Sequence, residues 1–106
     1  MVEKLDNLKQ KIKNVLKKHN IAKAGIFGSY ARGEQKKNSD VDILIEVSND
    51  MGLIGFISLK MLIEKAIKKK IDLVEYDAIR KELKENILKE EIRIIWKEII
   101  SCILMI

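Results

Sequence analysis

Apolar positions recur along the chain in two periods, one helical and one alternating, and the two take turns. Between residues 4 and 18, Leu5, Leu8, Ile12, Val15 and Leu16 fall at three- and four-residue steps. Lys9, Lys11, Lys13, Lys17 and Lys18 occupy the other faces, so the spacing predicts an amphipathic helix, ended by His19-Asn20. Residues 21–27 form a short apolar run that stops at Gly28-Ser29, the mark of a buried strand breaking at a tight turn. Residues 41–47 alternate: Val41, Ile43, Ile45 and Val47 on one face, Asp40, Asp42, Leu44 and Glu46 on the other. The aliphatic face is expected against helices and the acidic face toward a cleft. Between these strands, 30–38 predicts one helical turn and a polar loop.

After a turn at 48–52, residues 53–69 read as a second long helix. Leu53, Ile57, Met61 and Leu62 are expected inside, and Lys60, Glu64, Lys65, Lys68 and Lys69 outside. A third strand follows at 71–76, with Asp72, Val74 and Tyr76 on one face and Ile71 and Leu73 on the other. The stripe Ile79, Leu83, Ile87, Ile92, Ile95, Trp96, Ile99 and Ile100 predicts a closing helix from about Ala78 to beyond Ile100. The order α-β-β-α-β-α describes an α+β fold, a small mixed sheet of three or more strands covered by helices. Residues 1–106 are expected to form one domain.

Composition narrows the class. With 47% hydrophobic and 35% charged residues, the chain is built to fold around a core. Proline is absent and Cys102 is the lone cysteine, which excludes an internal disulfide and suits a reducing, cytoplasmic setting. No leader-like or membrane-spanning stretch is expected; the apolar tail Ile99–Ile106 is too short to cross a bilayer and reads as core or as a docking or self-association seam. The net charge of +5 is spread over helix faces and makes no basic stripe interleaved with aromatics, so nucleic acid is not the expected direct partner. His19, at a helix end and without an evident partner, is not expected in a site.

The chemistry gathers where the periods change. Gly28 lets the backbone approach a ligand closely, and Ser29 adds an N–H and a hydroxyl suited to phosphate oxygens. Asp40 and Asp42, at i and i+2, project from one strand face, and Asp72 opens the next strand. At about 7 Å and an effective dielectric near 20, each like-charge pair costs about 2.4 kcal/mol, which a hard divalent cation would offset. Two magnesium ions about 3.5–4 Å apart would clamp the attacking and leaving oxygens of an in-line phosphoryl displacement. Arg32, one turn beyond Ser29, either neutralises a departing pyrophosphate or pairs with an acid to fix the loop.

Gly28-Ser29, ten residues, then Asp40-Val41-Asp42 resembles the GSx10DxD signature of the DNA polymerase β-like nucleotidyltransferases. The fuller string, Gly-Ser-x-Ala-Arg-Gly and then Ser-Asp-x-Asp-Ile, is similar to the minimal branch of that superfamily, the MNT proteins, which includes MntA-type antitoxins paired with HEPN toxins. Lys70-Ile71-Asp72-Leu73-Val74 resembles the branch's third-carboxylate segment, except that its usual preceding glycine is replaced within Lys68-Lys69-Lys70. The resemblance implies a polymerase β palm-like fold and transfer of AMP from magnesium-bound ATP to a hydroxyl, with release of pyrophosphate. It implies that Asp40, Asp42 and Asp72 are catalytic metal ligands and that Gly28 and Ser29 hold the β- and γ-phosphates of the nucleotide; Arg32 stands beside them as a candidate nucleotide-binding residue on its position alone. In the antitoxin branch the acceptor is a tyrosine of the partner HEPN ribonuclease, silenced by adenylylation. The competing readings are a nucleotidyltransferase for RNA or a small molecule, an idle antitoxin that neutralises by binding, and a generic basic RNA-binding protein. Homo-oligomerisation is left open.

Overall fold

The computed structural model describes residues 5–19, 21–36, 38–47 and 51–96. Helix α1, Leu5–Lys18, buries Leu8, Ile12 and Leu16, one per turn, and ends on Lys17 and Lys18, where cations suit the helix dipole. Strand β1, Lys23–Phe27, runs straight into the five-residue helix α2, Gly28–Arg32. Strand β2, Val41–Glu46, is followed by helix α3, Gly52–Ile67, and strand β3, Ile71–Glu75. A 3-10 turn at Tyr76–Ala78 leads to helix α4, Lys81–Glu90, and strand β4, Ile92–Trp96.

The four strands form one mixed sheet in the order β3-β2-β1-β4. β1 pairs antiparallel with both β2 and β4, whereas β2 and β3 are parallel and joined through α3. Val41, Ile43 and Ile45 of β2 are fully buried with Leu8, Ile12 and Leu16 of α1 and Leu59, Ile63 and Ile67 of α3 in one core cluster. The alternation expected of β2 is therefore present, with one exception. Leu44 is also fully buried, although it shares the acidic face. Helix α2 and the 3-10 turn cover that part of β2.

Two expected elements are corrected. The closing helix stops at Glu90, and Ile92–Trp96 is a strand on the free edge of β1. Ile92, Ile94 and Ile95 are β-branched, and the open edge of β1 offers backbone partners that a helix would leave unmet. Glu91, with φ −58° and ψ 134°, is already outside the helix. The pairing shifts register between Ala24 and Gly25, so both Ile94 and Ile95 are buried, as at a bulge. The apolar tail 99–106 lies outside the described residues.

The second correction is the orientation of α3. Leu53, Ile57, Met61 and Leu62, expected inside, are 73, 48, 64 and 42% exposed, and Ile54 is 82% exposed. Leu59, Ile63 and Ile67 face the core instead. The helix is apolar on most of its circumference, so its own pattern does not choose a face; the sheet does. Ile63→Ala should cost about 2–5 kcal/mol and Ile54→Lys within about 0.5 kcal/mol, read as shifts in the urea midpoint.

The replaced glycine ahead of β3 has a structural answer. Lys68 ends α3 in the left-handed conformation, with φ 57° and ψ 38°, and its N–H donates to the Glu64 carbonyl at 2.8 Å. Glu64, expected on the outer face, also ties the exit down: its carboxylate accepts the first β3 amide, Ile71 N–H, at 3.0 Å. Because a side chain strains that conformation, Lys68→Gly should raise stability by about 0.5–1 kcal/mol, measured by thermal melting. Among the described residues, no helix is long and apolar enough to cross a membrane.

Candidate active site

The site forms where β1 ends and β2 and β3 begin. Phe27 is the last extended residue of β1, and Gly28 turns the chain into α2 with φ +71°. That turn presses the backbone against β2: a Cβ built on Gly28 would lie 2.1 Å from Oδ2 of Asp42. Glycine is required there twice over, by its dihedral angle and by the approach. Ser29 is half-buried immediately after it, and buried Tyr30 anchors α2 in the core. Gly33 closes α2 in the left-handed region with nothing near its Cβ position.

Asp42 stands opposite Phe27 on β1 and in register with Asp72 on β3. Neighbouring strands lie about 4.8 Å apart, so Asp42 and Asp72 are adjacent on the sheet face that also carries Asp40. Asp40 and Asp72 are exposed, while Asp42 is half-buried. Burial pushes the Asp42 carboxyl above its ordinary value, Asp72 and Asp40 push it further, and Arg32 pulls it back. Asp42 therefore feels both neighbouring carboxylates. They do not close around a point by themselves: among the described residues, no three His, Cys, Asp or Glu side chains are gathered as a metal cage. What fits magnesium is the donor set, hard carboxylate oxygens carrying repulsion that one nearby guanidinium only partly offsets.

Arg32 makes the acid pairing that one of its two expected roles describes. Its Nε donates to Glu34 and its Nη1 to Glu90 of α4, each at 3.1 Å, and the Glu90 bond is the largest of the interactions that raise its pKa. Both contacts are exposed, and Arg32 remains near enough to act on Asp42. His19 is exposed beyond α1.

Sequence reasoning missed two features. Glu91 lies across Gly25, where a Cβ would meet its carboxylate, and accepts a hydrogen bond from the Tyr76 hydroxyl. Burial first, and then Glu91, pushes the Tyr76 phenol well above its usual range. This pair spans the acidic face from the end of β3 to the start of β4 and roofs the strands beyond the carboxylates. Only the pairing of β4 with β1 brings it together. The second feature is a cleft of about 410 Å³ lined by Asn38, Ser39, Asp40, Lys68, Lys69 and Lys70. The i, i+2 relation of Lys70 to Asp72 carried a signal for it, since both must share a face.

Comparison with known proteins bears on the family and the fold. The sequence profile of the family described as "Polymerase beta, Nucleotidyltransferase" matches residues 10–99. A Methanocaldococcus jannaschii protein, named among the protein adenylyltransferases, is 40% identical over 91 residues, spanning 86% of this chain and 98% of the relative. The protein adenylyltransferase MntA of Thermococcus cleftensis is 33% identical over 78 residues, 74% of this chain and 79% of the relative. Among solved structures, a toxin–antitoxin complex with AMP-PNP contains a chain of the same fold, with TM-score 0.73 and 23% identity over 85% of this chain and 74% of that one.

Proposed function

The chain belongs to the polymerase β nucleotidyltransferase family, and from that premise we propose that it is an antitoxin acting as a protein adenylyltransferase. Its reaction is the transfer of AMP from ATP to a tyrosine hydroxyl of a HEPN-type ribonuclease toxin, which is thereby inactivated. The observation that carries this reading is the register of Asp42 with Asp72, flanked on one side by Asp40 and on the other by the Gly28-Ser29 turn. The names of the two archaeal relatives support a protein acceptor.

Asp40, Asp42 and Asp72 would hold two magnesium ions, which when bound supply charge neutralisation for the attacking and leaving oxygens. Ser29 N–H and hydroxyl, presented by the Gly28 turn, receive the β- and γ-phosphates. The acceptor oxygen attacks the α-phosphorus, the bond to the β-phosphate oxygen breaks, and pyrophosphate leaves. The hydroxyl proton passes toward Asp72, the carboxylate farthest from the turn. Arg32, held by Glu34 and Glu90, opposes the charge of the departing group from the end of α2.

Incubation with α-labelled ATP, magnesium and the protein encoded beside this gene should label that protein on tyrosine and remove its ribonuclease activity. No label on a folded, active ribonuclease partner defeats the proposal. Label appearing on RNA alone would install the RNA nucleotidyltransferase reading in its place.

A further inference from the structure

The strand order sets apart two sides of the acidic cluster. Gly28-Ser29 lies on the β1 side of Asp42, and Lys70 lies on the β3 side. Val41 pairs with Ile71, so Lys70, one residue earlier, flanks Asp40 as Asp72 flanks Asp42. Val41 N–H donates to the Lys70 carbonyl at 3.0 Å, which fixes this end of β3 against the start of β2. Lys69 and Lys70 follow the left-handed turn at Lys68, itself held by its bond to Glu64. The result is a cleft lined by three lysines and one acidic residue, Asp40, together with Asn38 and Ser39. Among the described residues none of the three lysine side chains is engaged in an ion pair.

In an in-line displacement, the attacking and leaving oxygens lie on opposite sides of the phosphorus. With pyrophosphate leaving toward the Gly28 turn, the acceptor approaches from the side of the lysines. We propose that the cleft walled by Lys68, Lys69 and Lys70 is an acceptor-side anion subsite, which binds a carboxylate or phosphate carried next to the attacked hydroxyl on the protein substrate. This rests on the adenylyltransferase reading above and adds to it a class of acceptor: a tyrosine set among anionic groups. Three clustered cations draw such a segment in and hold the hydroxyl beside Asp72.

The test uses the whole protein with magnesium, labelled ATP and four tyrosine peptides, flanked by glutamates, by phosphoserines, by alanines or by lysines. The glutamate or phosphoserine peptide should show a KM about tenfold below that of the alanine peptide, and the difference should shrink with salt. Lys69→Ala combined with Lys70→Ala, which keeps the Lys70 carbonyl, should raise that KM about tenfold, as expected for two partly exposed ion pairs. The KM for ATP should stay where it was. The glutamate and phosphoserine arms tell the two sources of anion apart. Equal KM values for all peptides, or a rise confined to the KM for ATP, overturns the proposal; the latter would give the lysines to the triphosphate. Fluorescence anisotropy of the same peptides reads the subsite without turnover. Tenfold tighter binding of an anionic peptide by the wild type than by the double variant, together with no label on the folded, active ribonuclease partner, would sustain the subsite and sink the adenylyltransferase reading. Equal binding would sink the subsite itself.

Discussion

Asp42→Asn is expected to abolish AMP transfer and, in the same protein, to raise the melting temperature measured without metal. The first effect should be roughly 10³-fold or more, the size of losing several kcal/mol of metal-borne charge stabilisation. The second follows from the position of the side chain. Asp42 is half-buried beside Asp72 and Asp40, so its charged form is disfavoured in the folded state and its pKa lies above the ordinary 3.8. A carboxyl raised in this way gives the fold stability below pH 3.8 and loses it as the pH rises through the folded value. The neutral asparagine does not titrate. The gap in melting temperature between variant and wild type should therefore be absent in acid, open as the pH rises past that window, and level off above it at a few degrees. Magnesium should close the gap from the wild-type side. Calorimetry with EDTA and then with magnesium checks all of this. A variant that melts below the wild type at neutral pH without metal would show that Asp42 is a structural anchor and no ligand. The same substitution separates catalysis from neutralisation by binding, because an idle antitoxin would still silence its partner.

Gly28→Ala should do comparable harm by a different route. The added methyl meets two obstacles: a backbone angle of +71°, and Oδ2 of Asp42 at 2.1 Å from the new Cβ. The strained angle alone costs about 1–2 kcal/mol. To escape the clash, the Asp42 carboxylate must rotate or β1 must part from β2, and a displacement near 1 Å in such a group lowers turnover about 10²-fold. Gly33→Ala is the matched control. Its φ is +72°, but nothing lies near its Cβ position, so it should lose the same 1–2 kcal/mol and keep its transfer rate. Chemical denaturation and initial-rate measurements on the two variants separate strain from obstruction. If both variants lost activity equally, the contact between Gly28 and Asp42 would be irrelevant to the site.

How much of this was legible in the chain differs from element to element. Helix α1 was legible because its five apolar positions leave one face to bury, and Leu8, Ile12 and Leu16 are on it. β2 was legible because alternation within an acid-bearing strand allows a single register; a slip by one residue would bury Asp42 and expose Ile43. Helix α3 was legible as a helix and illegible as a surface. With Leu53, Ile54, Ile57, Leu59, Met61, Leu62 and Ile63 all present, several faces are equally greasy, and the sheet selected the one carrying Leu59 and Ile63. The segment from Ile92 to Trp96 misled for a related reason. Isoleucines at 92, 94 and 95 fit a helical stripe and a buried strand alike, and the free edge of β1 resolved the matter.

By itself the sequence determined that Asp40 and Asp42 share a strand face, that the chain must turn at Gly28, and that a third carboxylate opens the strand after α3. These are local consequences of the two-residue pleat and of glycine's freedom, and no distant contact alters them. Only the tertiary structure decided that Asp72 faces Asp42 and not another residue of β2, that Glu91 reaches over Gly25 to Tyr76, and that Lys68, Lys69 and Lys70 wall a cleft with Asp40. Each of those depends on which strands lie side by side and in what register. That choice is made by the burial of the whole core, which no short stretch of the chain encodes alone.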